Sequence, residues 1–221
     1  KRRGVGVALF DYKTGVYPIS LEVSNCRIFM NEDGSLSLQM GATEIGQGAD
    51  TVFTQMAAQA TGVTEANIHI VSTQDTDVAP FDLGAYASRQ TYICGMAIKR
   101  TGETLKRKIV EYASIKLKKP AAELDVEADW VVRRTNRQRL LALSEMALEA
   151  QYNRDRAERL FAEEHVDIHE NTIATGCTFA EVEVDITLGK VTILNIINVH
   201  DSGILINPKL AEGQVQGGMS M

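Results

Sequence analysis

Apolar and polar residues alternate along some stretches of the chain and recur at helical spacing along others, and the two periods divide it into elements. Residues 4–40 read as strands. Ile19, Leu21 and Val23 alternate with polar neighbours in a run that reaches Phe29, Asn31-Glu32-Asp33-Gly34 supplies turn chemistry, and Leu36 and Leu38 alternate with Ser35, Ser37 and Gln39, which predicts a hairpin. From Asp50 to Thr61 the period changes. Val52, Phe53, Met56 and Ala60 share a helical face, Asp50 or Thr51 is placed as N-cap, and Gly62 is placed to end the helix. A short strand is expected at Ile68–Ser72, after which no period holds from Thr73 to Ser88, a length that in a compact domain points to a functional loop or to disorder. A second long helix is predicted from Gln90 to Lys118, with Ile98, Leu105, Ile109 and Tyr112 or Ala113 as its apolar stripe. The cations of its later half suit the helix dipole and read as a solvated face, and Pro120 stops it.

Residues 120–175 are the most polar part and are expected to be peripheral: a strand around Trp130 to Val132, an arginine cluster (Arg133, Arg134, Arg137, Arg139), a short helix capped by Ser144, and a charged stretch from Arg154 to Glu170. From Cys177 a second hairpin is predicted. Thr178, Ala180, Val182, Val184 and Ile186 alternate with acidic residues, Leu188-Gly189-Lys190 turns, and Val191 to His200 reads as a more apolar, more buried strand. Asn207-Pro208 is an N-cap followed by Pro at the first helical position, opening a Gly-rich helix in which Met221 falls without a cap, as in a piece of a longer protein.

Composition narrows the class. The 221 residues are 44% apolar and 24% charged with net charge −6, a soluble globular profile that excludes collagen, coiled coil and wholesale disorder. Three separated cysteines (Cys26, Cys94, Cys177) without a CxxC pair point to a reducing, cytoplasmic setting and to no iron–sulfur or structural zinc site. The apolar run after Lys1-Arg2-Arg3 stops at Asp11, too short for a signal peptide, and no stretch approaches the roughly 20 apolar residues of a membrane span. The acidic balance argues against nucleic acid as the main partner.

Against that background three segments carry candidate chemistry. Gly46-Gln47-Gly48 lies between a predicted strand and a predicted helix, where N–H groups and the helix dipole could hold an anion or an oxo group; a tight turn without ligand is the alternative. Nucleotide motifs fail on spacing, since a P-loop from Gly41 needs Lys where Gln47 stands and a dinucleotide fingerprint from Gly46 needs Gly where Thr51 stands. Asp82 to Thr91 sets small residues and Arg89 immediately before a helix, suiting close backbone approach to a ligand or a plain surface loop capped at Ser88. Three glycines within 213–218 suit close approach to a ligand or to another helix. His165 and His169, four apart among acidic residues, lack an HExxH pattern and are not read as a metal site. His200-Asp201 reads as a structural pair.

Four segments in series resemble the molybdenum-binding subunit of xanthine dehydrogenases, within the molybdenum hydroxylases. They are Gly41 to Thr51, Ser72-Thr73-Gln74-Asp75-Thr76-Asp77, Gly84 to Gly95 with its Ala-Ser-Arg-Gln-Thr core, and Asn198 to Gly203 continuing through Asn207-Pro208 to Gln214. The resemblance implies an α+β fold of antiparallel hairpins packed with long helices, of the molybdopterin cofactor-binding type. It implies one domain fragment over 1–221, with lobes 1–119 and 120–221 as a subdivision. It places Gly46, Gln47, Gly48, Ala87, Ser88, Arg89, Gln90 and Gln214 against a molybdenum pyranopterin, with Ala87 facing the metal and the pterin dithiolene holding it. The form of the pterin, with or without a cytosine dinucleotide, stays open.

The chemistry implied is hydroxylation of an electron-poor carbon of a purine or aldehyde, with a glutamate as base, hydride passing to a sulfide on the metal, and electrons leaving through iron–sulfur and FAD partners in an oligomeric assembly. That glutamate lies in a Gly-Glu-Pro segment that residues 1–221 do not contain. No catalytic residue is therefore assigned here, and the piece alone is expected to be inactive and to retain no cofactor. Two other readings stay open: a stand-alone module binding an anionic ligand at Gly46 to Gly48, and a part whose arginines at 133–139 dock a partner subunit.

Overall fold

A computed structural model describes residues 1–71 and 75–221, so Ser72, Thr73 and Gln74 lie outside the described residues. In chain order the elements are β1 (Arg2–Lys13), β2 (Val23–Met30), β3 (Leu36–Met40), α1 (Ala49–Thr61), β4 (Ile68–Val71), α2 (Gln90–Leu117), β5 (Leu124–Glu127), β6 (Trp130–Arg133), β7 (Arg139–Ala142), α3 (Leu143–Tyr152), β8 (Phe161–Asp167), β9 (Ile173–Asp185), β10 (Lys190–Asp201) and α4 (Pro208–Ser220). Strands pair mainly antiparallel in three sheets beside long helices, an α+β architecture. None of the described helices is long and apolar enough to cross a membrane. The chain forms two compact units, Val16–His169 and Lys1–Gly15 with Glu170–Met221, so its division does not fall at 119/120.

In the Val16–His169 unit, β2 and β3 form the predicted hairpin, and their alternation decides what is buried. Cys26, Ile28, Leu36, Leu38 and Met40 enter the core while Arg27, Phe29, Ser37 and Gln39 stay half-exposed. The strand begins at Val23 rather than Ile19; Ile19 and Leu21 lie exposed in the preceding loop. The α1 helix buries Ala49, Phe53, Ala57 and Thr61 and ends at Gly62, whose φ of 83° is the left-handed cap expected. The stripe predicted for α2 is buried throughout, at Ile98, Leu105, Ile109, Tyr112 and Ala113.

The polar segment 120–175 is not peripheral. Its strand β8 pairs with β2 in the sheet ordered β4-β3-β2-β8, burying Ala162 and Val166, and α3 adds Met146, Ala147 and Ala150 to the same core. Most of its polar residues sit on the other face of a half-buried strand, Glu163 bridging to Arg27 and His165 hydrogen bonding Asn25, while Glu164 on the core side accepts from the Thr104 hydroxyl, so composition hid the alternation. Ser144 is not a cap, because α3 starts at Leu143. The arginine cluster belongs to the small sheet β5-β6-β7: Arg137 bonds Asp125 at 2.6 Å, Arg134 donates to the Leu124 carbonyl at 3.2 Å, and Arg139 lies 5.2 Å over the Trp130 ring.

The other unit is the sheet β1-β9-β10 with α4, whose Asn207 cap accepts from Leu210 N–H at 3.1 Å as expected. The β10 strand is exposed rather than buried. Apolar residues occupy both faces of this sheet, Val7, Phe179 and Ile197 in register on one and Val182 and Ile193 on the other, the pattern of a sheet covered on two sides; within this chain Val7, Phe179, Ile193 and Ile197 remain exposed.

Candidate functional site

Two of the segments singled out in the sequence meet at one end of the β2-β3 hairpin. The loop leaving β3 carries Gly46-Gln47-Gly48 to the start of α1, and the loop entering α2 carries Ala87 to Gln90. The Gln47 side chain donates from Nε2 to the Thr43 carbonyl at 2.9 Å and to Gln90 Oε1 at 2.6 Å, and its Oε1 accepts from Ile45 N–H at 2.7 Å. Gln90 Nε2 also donates to the Thr43 carbonyl, at 3.1 Å. Two amides 43 positions apart thus interlock over one backbone carbonyl.

The start of α1 is not an open anion site. Glu44, a residue the sequence reading passed over, places its carboxylate there: Oε1 accepts from Gly46 N–H at 2.7 Å and Gly48 N–H at 3.1 Å, and Oε2 from Asp50 N–H at 3.0 Å. It fills the orphan donors and meets the positive end of the helix. Burial pushes its pKa up, but the backbone N–H donors outweigh burial and hold it below the ordinary glutamate value. Because the folded pKa is depressed, the stabilisation is present above the unfolded glutamate pKa and lost as pH falls through the folded one. Glu44→Ala should therefore destabilise the unit by about 1–2 kcal/mol at neutral pH. The difference from wild type should shrink as the pH falls below the ordinary glutamate range, as thermal unfolding of the two proteins at several pH values would show. A deficit independent of pH would contradict this.

On the second loop, Arg89 N–H donates to the Tyr86 carbonyl at 3.1 Å and closes a turn whose central residues, Ala87 and Ser88, have φ of 47° and 53°. Two positive φ values are the mark of a type I′ turn, which ordinarily takes Asn or Gly. Ser88 is exposed, and among the described residues neither its hydroxyl nor the Ala87 N–H has a partner. The Arg89 side chain instead points inward and is wholly buried. Nε donates to Glu22 Oε2 at 2.7 Å, Nη1 to Asp82 Oδ1 at 2.8 Å and the Gly84 carbonyl at 3.0 Å, and Nη2 to the Val23 carbonyl at 2.6 Å. Any part Arg89 takes in holding a ligand therefore passes through its backbone or the loop it anchors. Asp82 stood in the segment singled out but without this role, and Glu22 was not found from sequence; the available signal was a glutamate set between Leu21 and Val23 at a strand start.

Gln214 lies exposed on α4, in the other unit, and no atom stands within 4 Å of where a side chain would begin at Gly213, Gly217 or Gly218. In the Ser72 to Asp77 segment, Ser72, Thr73 and Gln74 are outside the described residues. His169 bonds Asp167 at 3.0 Å, and among the described residues no group of three or more His, Cys, Asp or Glu could hold a metal. An open cleft of about 960 Å³ lined by Asn31, Glu32, Asp33, His69 and Arg159 lies at the opposite end of β2, apart from the predicted residues. The two loops together offer amides, a hydroxyl and close backbone, a set suited to holding a polar ligand rather than to moving protons.

The whole chain, residues 1–221, matches the family model described as molybdopterin cofactor-binding domain. It is 47% identical over 221 residues to the xanthine dehydrogenase molybdenum-binding subunit of Escherichia coli O157:H7, covering all of this chain and 29% of that protein. It is 27% identical over 227 residues to the carbon monoxide dehydrogenase large chain of Hydrogenophaga pseudoflava, covering 98% of this chain and 28% of that one. The reconstituted CO dehydrogenase structure from Oligotropha carboxidovorans superposes with a TM-score of 0.85 at 28% identity, over 98% of this chain and 28% of that chain. The chain thus spans less than a third of the length of these relatives.

Proposed function

The chain belongs to the molybdopterin cofactor-binding domain family, and from that premise we propose that it is one piece of such a domain in the molybdenum-binding subunit of a xanthine dehydrogenase-type hydroxylase. The observation that carries the reading is the junction of Gln47 and Gln90 over the Thr43 carbonyl, which joins two loops of the resemblance into one surface.

Two features of the loops fit a large, polar cofactor that brings its own metal ligands. Gly46 and Gly84 have φ of 100° and 109°, and among the described residues nothing stands within 4 Å of where a Cβ would be, beside backbone that only glycine forms readily. The donors left without a partner among the described residues, the second Gln90 Nε2 proton, the Ser88 hydroxyl and the Ala87 N–H, suit a pterin's polar edge and leave the metal to the dithiolene. When bound, the cofactor supplies two-electron hydroxylation of an electron-poor carbon. In this reading the chain's own residues position it. Gln47 and Gln90 orient the loop from Gly46 to Gly48, Ala87 leaves room beside the metal, Ser88 donates a hydrogen bond, and Arg89 anchors its loop.

The complete enzyme would act on a purine or aldehyde in the cytoplasm, passing electrons to iron–sulfur and FAD partners in an oligomer; a cytosine dinucleotide on the pterin is one form this surface could take. Gln47→Ala in the complete subunit removes three hydrogen bonds and leaves the Ile45 N–H and Gln90 Oε1 without their partner. A loss of about 1–3 kcal/mol, roughly 5- to 150-fold in cofactor retention, is expected. Molybdenum and pterin per folded subunit measure it, and wild-type values would remove the assignment from this loop.

A further inference from the structure

We propose that the buried cluster of Arg89 with Glu22 and Asp82 is a positioning device: it holds the left-handed turn at Ala87–Ser88 in the shape the cofactor meets, so that Arg89 acts through the loop without touching the cofactor. The inference rests on the reading of this loop as a cofactor contact.

The turn needs holding. Ala87 and Ser88 are consecutive L residues in the left-handed region, without the Asn or Gly that makes such a turn easy. Conformations of that kind persist where the surroundings over-determine them. The bonds of Arg89 do so from the residue that ends the turn. Its N–H closes onto Tyr86, its guanidinium reaches back to the Gly84 carbonyl, and Asp82 takes both that guanidinium and Gly84 N–H, at 2.8 Å each. The Tyr86 ring lies 5.5 Å from the guanidinium carbon on the flank of the turn.

The whole assembly is fastened to the hairpin. Asp82 bridges to Ser24, Arg89 bonds the Val23 carbonyl, and the second oxygen of Glu22 accepts Val16 N–H at 2.5 Å. From the other side Gly41 passes so close that a Cβ there would lie 2.1 Å from the Pro80 carbonyl oxygen. Residues 82–84 and 89 are pinned, and the exposed stretch between them is the strained one. A loop that merely closed the chain would need none of this. Sinking a guanidinium and two carboxylates is a poor route to stability, whereas one planar fork spanning Glu22, Asp82 and two carbonyls fixes a geometry.

The test uses the complete subunit. Arg89→Lys keeps the charge but cannot span all four acceptors, and Glu22→Gln keeps the shape without the ion pair should the first variant fold poorly. Hydrogen exchange at the Gly84 and Arg89 amides of the cofactor-free subunit should accelerate about tenfold in either variant while the β2-β3 amides stay protected. Molybdenum per folded subunit should fall about fivefold. Adding Ala87→Gly, which eases the turn without touching the cluster, should recover most of both losses. Unchanged exchange, or loss without glycine recovery, would overturn the inference and leave the cofactor reading standing. Normal molybdenum in the Gln47→Ala and Ala87→Leu proteins would overturn the cofactor reading itself, and with it the role given to the clamp.

Discussion

Replacing Ala87 by leucine in the complete subunit should nearly abolish molybdenum retention while leaving the folded yield close to wild type. Ala87 is half-buried at the second position of the turn, with φ of 47°. A leucine there adds three carbons to the side chain. In a plain surface loop such a change stays within about 0.5 kcal/mol of neutral, because the side chain extends into water. Against a bound cofactor the same atoms overpack the contact, at about 1–3 kcal/mol or more, which is roughly 5- to 150-fold or greater in retention. Elemental molybdenum per folded subunit, read beside thermal unfolding, separates the cases. Wild-type molybdenum with wild-type unfolding would return the loop to the status of an ordinary connection.

A second large effect concerns catalysis. The 221-residue chain, purified and supplied with cofactor, should turn over neither xanthine nor an aldehyde. The carboxylates around the two loops are already committed: Glu44 to three N–H groups, Glu22 to Arg89 and Val16, and Asp82 to Arg89 and Gly84. A base must reach the proton it removes, whereas Glu22 and Asp82 are buried against Arg89 and Glu44 is turned back onto the backbone N–H groups at its own helix start. The resemblance places the base in a Gly-Glu-Pro segment outside these residues, and the chain is 29% of the length of the Escherichia coli relative. Reduction of an artificial electron acceptor, followed with each substrate, is the assay. Any turnover above the cofactor-only blank would place a base within residues 1–221.

What the sequence made legible follows from range. The α2 stripe and the β2-β3 hairpin are local periodic signals; α2 formed where its signal stood, and the hairpin did so from Val23 onward, four residues later than the alternation began. The β8 strand escaped because its apolar face is only alternate residues within a charged run, and one face of charge outweighed the other in composition. The site divided in the same way. Its loops were found through their small residues and through the resemblance, which linked them at a distance. The pairing of Arg89 with Glu22 spans 67 positions and leaves no periodic trace, so a buried anchor read as a ligand contact. Glu44 was missed for another reason: a carboxylate curling back onto its own helix start resembles an empty anion site when only the glycines are considered. Strands β1 and β10 were legible as strands, but their burial depends on what covers them.

The cation-stacked indole of the small sheet has a practical use. Trp130 is the only tryptophan in the chain, and it sits under Arg139 on β6, in a different sheet from the hairpin that carries the two loops. Excited at the red edge, where the six tyrosines do not absorb, the isolated chain's fluorescence has a single origin, and a guanidinium against the ring makes that emission sensitive to whether the β5-β6-β7 sheet is intact. Changes at residues 44, 47, 87 or 89 do not touch that environment directly. Intrinsic emission thus serves as an optical gauge of folding that is insulated from the loops, so that a variant with native emission but altered ligand uptake has been changed at the surface that binds and not in the body that carries it.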